Sequence, residues 1–424
     1  MTVKELKETI CRGGLEKYSR LYENTEEQKK RFLFALDRFA ERHGEDREAA
    51  IFSVPGRTEI IGNHTDHNRG RVMAGAINRD IIAVAAKNDV GAIRMFSEGF
   101  SEDCIRLSDT DNPDNFKRFT SRALVAGMVN GFVKEGLSVG GFDFYSTTEV
   151  LKGSGLSSSA AFEVMIGNIL NHLYNRGEVD NKLIARLAQY SENVYFGKPC
   201  GLMDQMACAV GGFVYIDFEN PECPEVQPID FSLSDVGYAL CIVNTGGSHA
   251  NLNDDYAAVP AEMKAVASAL GKEVLRGVDE PALLAAIPTL RERVGDRAIL
   301  RALHFIREND RVTDARAALL GGDITAFLSA VSASGSSSFR YLQNVFTCAH
   351  PEEQGISLAL AVSEGILKGT GSAVRVHGGG FAGTAQIFLP IGEMGRYVKE
   401  INAVFGEGAA MPLNIRPAGA VRLF

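Results

Sequence analysis

The sequence predicts an α+β chain of two domains, and three observations carry that expectation. Its 424 residues exceed the size at which a single core usually keeps growing. Short apolar runs of strand character alternate with longer segments of helical period. Near Gly211 the composition changes, with a strand-like run at 213–218 followed by a proline-bearing loop at 221–228, so the boundary is expected at 215/216. An apolar share of 45% and a charged share of 23% supply material for an ordinary globular core. The net charge is 44 − 53 = −9 and no Lys/Arg block is present, which argues against nucleic acid or an anionic membrane as partner. Seven scattered cysteines lack metal spacing, the N-terminal stretch lacks the apolar core of a signal peptide, and no run reaches about 18 apolar residues. A cytoplasmic protein is therefore expected.

Residues 1–50 read as surface helix, because Phe32, Ala35, Leu36 and Phe39 recur at helical spacing. Ile51 to Val54 is a short strand running into a polar loop that holds Arg57, Asn63, His64, Asp66 and His67. Such a mixture of donors and acceptors suits the hydroxyls of a sugar, whereas turn chemistry is the plainer reading of either histidine alone. A metal site at His64-Thr65-Asp66-His67 is disfavoured, since adjacent residues seldom converge on one ion. Residues 72–86 and 92–96 read as paired strands, 108–116 as loop, 119–135 as helix, and 141–148 as a further strand.

Gly153-Ser154-Gly155-Leu156-Ser157-Ser158-Ser159-Ala160 then precedes an amphipathic helix whose buried face is Phe162, Met165, Ile169, Leu170 and Leu173. Glycines allow tight turning, hydroxyls can donate to oxygens or ligate a metal, and the helix start offers free N–H groups. Taken alone, the stretch reads equally as an N-cap with its loop. A second helix is expected at 181–195 with Glu192 near its end. After a break at Gly197 and Pro199, Asp204 lies among apolar residues, where a carboxylate serves either structure or catalysis. Residues 237–244 read as strand, 257–330 and 354–366 as mainly helix, and 373–389 as strand, glycine turn, strand.

Four segments in this order resemble the GHMP kinase superfamily and, within it, the galactokinase branch. Residues 56–68 are similar to the sugar signature G-R-x-N-L-I-G-E-H-T-D-Y, Gly153–Ala160 to the phosphate loop G-x-G-L-S-S-S-A, Cys200–Gln205 to C-G-I-M-D-Q, and Val376–Gly383 to the third, glycine-rich motif. The resemblance implies two domains, 1–215 and 216–424, with mixed sheets packed against helices, an active site in the cleft between them, and an extreme C-terminus able to return to the first domain. It implies ATP held by Gly153, Ser154, Gly155, Leu156, Ser157, Ser158 and Ser159, with Mg²⁺ on Ser159 and Glu192. Asp204 would accept or orient the C1 hydroxyl of the sugar beside Arg57, and Asn63, His64, Asp66, Gly201 and Tyr256 would hold the remaining hydroxyls. A monomer or weak homo-oligomer acting on a small sugar is expected.

This chain departs from the pattern where Asn63 replaces the signature's glutamate, His67 and Arg69 replace the tyrosine and the glycine after it, and Leu151 replaces a proline before the phosphate loop. An amide both donates and accepts, so the exchange at 63 is expected to act on sugar choice. Galactose is the expected substrate. The alternatives are a related aldose or galactose derivative, a kinase of a non-sugar alcohol, and a sensor that binds galactose and ATP without turnover.

Overall fold

In the computed structural model, residues 1–22, 24–150, 155–247 and 252–424 are described. Among them the chain forms α1 (Val3–Cys11), α2 (Thr25–His43), β1 (Ala50–Ile61), β2 (Arg71–Lys87), β3 (Ala92–Ser97), β4 (Asp103–Arg106), α3 (Ser121–Lys134), β5 (Phe142–Thr148), α4 (Ser158–Tyr174), α5 (Asn181–Tyr190), α6 (Met203–Val210), β6 (Phe213–Asp217) and β7 (Glu225–Ile229). There follow β8 (Tyr238–Asn244), α7 (Asn253–Ala269), α8 (Glu280–Arg293), α9 (Asp296–Leu320), α10 (Ile324–Ser337), α11 (Gly355–Ile366), β9 (Ala373–Val376), β10 (Thr384–Pro390), α12 (Met394–Phe405), β11 (Ala410–Leu413) and β12 (Val421–Arg422). No helix among the described residues is long and apolar enough to cross a membrane.

The strands build two sheets, which with the helices give the mixed α+β architecture. The first runs β12-β1-β2-β5-β3-β4, with β6 on β2 beside β5 and β7 on β6. Its pairings are antiparallel apart from β3 with β5. The second is the antiparallel sheet β11-β8-β10-β9. Side-chain alternation decides what covers each face. Ile51, Ile82, Val84 and Ala86 pack with Leu6, Phe32, Leu36 and Phe39 of α1 and α2, whereas Phe52, Ile81, Ala83 and Ala85 pack with Val164, Met165 and Ile169 of α4.

The expected boundary at 215/216 falls inside β6, and the same sheet takes in β7, where a loop was expected. At the other end of the chain, Val421 and Arg422 pair with Ser53 and Phe52 of β1. The core under α4 also continues to Val312 of α9, Phe327 of α10 and Leu240 of β8.

Beyond the reach of β12, β1 would be an open edge whose peptide groups need partners. They come from other segments. Leu156 O accepts from Arg57 N at 3.1 Å, Gln386 Nε2 donates to Glu59 O at 2.7 Å, and the Arg375 guanidinium donates to Ile60 O. The second sheet thus docks against the strand that carries Arg57.

Candidate active site

The loop before α4 reaches the site through its backbone as much as through its hydroxyls. Gly155 has φ +72° and Ser157, the residue that precedes α4, has φ +59°. This left-handed pair turns Leu156 down into the core while α4 starts at Ser158 with no side-chain cap from Ser157, and a helix start so left favours anions. Arg57 Nη1 donates to Gly155 O. Ser157, expected on phosphate, turns its hydroxyl to Asp204 Oδ2. Gly153 and Ser154, also assigned to ATP, lie outside the described residues.

Asp204 stands in the first turn of α6 and receives Arg57 side-on, Nε to Oδ1 and Nη2 to Oδ2, both at 2.7 Å. The fork geometry supplies two parallel charge-assisted hydrogen bonds. The Arg57 side chain is 10% exposed and that of Asp204 33%. Burial alone would raise the Asp204 pKa, but the Arg57 charge, its hydrogen bonds and the Ser157 hydroxyl outweigh it, so the carboxyl titrates below its ordinary range.

Glu192 is reached by an unusual route. The helix α5 does not stop at Tyr190; it widens into a π turn over Ser191–Phe196, which closes at Gly197 with φ +86°. Such turns swing one side chain out of α-helical register. Glu192 is buried, with Oε1 3.4 Å from Ser159 Oγ and 3.2 Å from Lys198 Nζ, and Oε2 accepting from Gln205 Nε2 at 2.7 Å. Gln205 Nε2 also lies 3.4 Å from Oε2 of Glu163, one helical turn beyond Ser159 on α4. Glu163 is fully buried, and desolvation, reinforced by the Glu192 charge, pushes its pKa well above the usual carboxylate range. Lys198 and Glu163 did not emerge from the sequence reading, although Glu163 keeps i+4 spacing from Ser159.

At the other end, the glycine turn between β9 and β10 meets the sugar-signature loop. Its successive carbonyls Gly378, Gly379 and Gly380 accept from Asn63 Nδ2 at 2.7 Å, from His64 Nε2 at 2.9 Å and from the Tyr256 hydroxyl at 2.8 Å. Only glycine fits at 380, where a Cβ would stand 2.0 Å from Asn344 O. Three of the five residues assigned to sugar hydroxyls therefore share this turn. The other two, Asp66 and Gly201, adjoin each other, since a Cβ on Gly201 would come within 2.5 Å of Asp66 Oδ2.

Asn63 differs from expectation most. It is 1% exposed, and its amide serves Glu59 Oε1 at 2.8 Å and Gly378 O as donor, and Asn344 Nδ2 at 2.7 Å and Ser338 Oγ at 3.4 Å as acceptor. An amide makes four such bonds at most, so no capacity remains for a sugar hydroxyl.

His377, in the third motif, is the remaining site residue that sequence reading left without a role. Its ring lies 3.0 Å from Thr58 Oγ1 and 2.8 Å from Thr384 Oγ1, and it approaches the Gly155 backbone. Burial, then the Arg57 and Arg375 charges, lower its pKa to about 3.

Residues 37–87 match the galactokinase galactose-binding signature, and residues 123–212 the N-terminal domain of GHMP kinases. A galactokinase of Streptomyces coelicolor is 33% identical over 375 residues, spanning 87% of this chain and 92% of that one. A galactokinase of Enterococcus faecalis is 28% identical over 92% of this chain and 99% of its own. Among solved structures, Lactococcus lactis galactokinase complexed with galactose superposes with a TM-score of 0.76 at 24% identity, covering 91% of this chain and 98% of that one. A mevalonate kinase superposes at 0.60 with 14% identity over 87% and 99% of the two chains.

Proposed function

This chain belongs to the galactokinase family of the GHMP kinases, and from that premise we propose that it transfers the terminal phosphoryl group of ATP to the C1 hydroxyl of galactose. It is a kinase, a phosphotransferase whose acceptor is an alcohol. The observation that carries the reading is the Arg57–Asp204 pair set between the start of α4 and the start of α6. Phosphoryl transfer asks little covalent chemistry of the protein and much positioning and charge compensation.

In this reading the phosphates lie against the 153–159 loop and the first turn of α4. Ser159 and Glu192, a hydroxyl and a carboxylate 3.4 Å apart, are hard oxygen donors that fit Mg²⁺, with Lys198 balancing Glu192. Bound there, Mg²⁺ supplies neutralising charge to the phosphate oxygens. Asp204, held ionised by Arg57, orients the C1 hydroxyl. With its depressed pKa it takes the proton late, as the oxygen becomes acidic on bonding to phosphorus. Arg57 keeps a permanent, delocalised positive charge beside the transferring group. Asp66, His64, Gly201 and Tyr256 surround the rest of the sugar.

An ADP-release assay over a panel of monosaccharides tests the proposal. Galactose should give the highest kcat/KM. Preference for another aldose would overturn the substrate, and tight binding of sugar and ATP with no turnover of any sugar would replace the kinase with a sensor.

A further inference from the structure

Glu59 and Asn63 touch, with Asn63 Nδ2 on Glu59 Oε1 at 2.8 Å. In the signature G-R-x-N-L-I-G-E, the position of Glu59 is an asparagine and that of Asn63 a glutamate. This chain therefore keeps one amide and one carboxylate but exchanges their places, and the exchanged partners are in contact. Independent substitutions have no reason to meet in this way. A reciprocal exchange between contacting groups conserves both the hydrogen bond and the charge.

The two side chains are not equivalent in what they leave free. The amide of Asn63 is saturated, as described above. Glu59 Oε1 accepts from Asn63 and from Arg375 Nη2 at 3.2 Å, while Oε2 has no hydrogen bond from a described residue. Strand register runs unbroken from Arg57 opposite Ala76 to Glu59 opposite Ala74, so Glu59 shares a face of β1 with Arg57. Arg375 is wholly buried and supports the carboxylate from behind, an arrangement that fixes its orientation without consuming its second oxygen.

We infer that Glu59 is the carboxylate that reads a hydroxyl of the sugar in this enzyme, delivered from position 59 in place of 63, and that Asn63 is the strut that holds it. The inference rests on the galactokinase reading above and assigns its specificity to a residue outside the expected sugar set. A carboxylate oxygen with a free lone pair accepts from a sugar hydroxyl and rejects an analogue that lacks it.

Full-length wild type, Glu59→Gln, Asn63→Glu and the double exchange Glu59→Asn with Asn63→Glu test it by steady-state kinetics and thermal melting. Glu59→Gln retains the contact with Asn63 but loses the charge. Its KM for galactose should rise about tenfold, with the KM for ATP within about twofold, while the melting temperature falls because the wholly buried Arg375 loses its carboxylate partner. Asn63→Glu alone sets two carboxylates in contact and should lower the melting temperature and raise KM together. The double exchange should recover both, with galactose KM within about threefold of wild type. Glu59→Gln with unchanged galactose KM, or a double exchange no better than Asn63→Glu alone, would overturn the inference. Wild type inactive on galactose would instead overturn the galactokinase reading.

Discussion

Arg57 and Asp204 face each other side-on through two hydrogen bonds of 2.7 Å, one from a strand of the first sheet and one from the first turn of α6. The pair brings the sugar signature and the Cys200–Gln205 motif to one point, and Gly155 and Ser157 of the phosphate loop bond to the same two side chains. Three sequence motifs thus converge on the five polar atoms of these two side chains.

Replacing Asp204 by Asn keeps the shape and removes the charge. We expect single-turnover phosphoryl transfer to fall by about 10²–10⁴-fold, with galactose affinity nearly unchanged. The chain has no tryptophan, so titration calorimetry is the suitable binding measurement.

Lysine at position 57 keeps a positive charge but not the fork that grips both oxygens. Turnover should drop about 100-fold. The pH profile gives a second readout. Because the Asp204 pKa is depressed, its ionised form, and with it activity, persists as pH falls through the ordinary carboxylate range. In Arg57→Lys the acid limb of kcat should move to higher pH, and an unmoved limb would show that Arg57 does not set the charge of Asp204.

Gly201→Ala should be costly without unfolding the protein, because the residue is exposed and, among the described residues, its added methyl meets the Asp66 carboxylate alone, Oδ2 at 2.5 Å. Displacing that carboxylate should raise the galactose KM by about tenfold or more, leaving the KM for ATP and the melting temperature close to wild type.

Two buried histidines set a pH dependence of stability. Burial depresses His304 to about 4 and, aided by the Arg57 and Arg375 charges, His377 to about 3. A histidine that resists protonation when folded but accepts it when unfolded favours unfolding as pH drops below the unfolded pKa of about 6.5. The loss begins there and continues down to the folded pKa. His304→Gln or His377→Gln should each shrink the stability loss between pH 7 and pH 5, measured by urea unfolding, by about 2 kcal/mol. An unchanged loss would mean that the ring in question is protonated in the folded protein.

Much of this was legible in the sequence because it depends on short-range pattern. Helix α2 follows from the spacing of Phe32, Leu36 and Phe39, and the loop before α4 from its glycines and hydroxyls. Arg57 meets Asp204 and Ser159 meets Glu192, although Glu192 lies in none of the four motifs. The rest depends on contacts that neither periodicity nor residue type announces, whether near in sequence, as Glu192 with Lys198, or far, as Asn63 with Asn344. Pro224 and Pro228 flank and enter the segment 225–229 and make it read as loop, yet β7 pairs with β6 alone, and an edge strand is where a sheet tolerates proline. The neighbours His64 and Asp66 make Asn63 read as a sugar ligand, whereas the fold brings Asn344 and Gly378 as well as Glu59 around its amide. Lys198 and Glu163 find Glu192 through the π turn, which no periodicity announces.

The pairing of Val421 and Arg422 with β1 bears on how the protein is made. The strand that carries Arg57 near the start of the chain gains this neighbour only after nearly everything between them has been synthesised. Until then its border lacks β12, and its far end lacks the Gln386 and Arg375 contacts as well. A nascent first half with an unfinished sheet border is exposed to strand exchange with neighbouring chains, so folding yield should depend more on chaperone supply during translation than the stability of the finished enzyme would suggest.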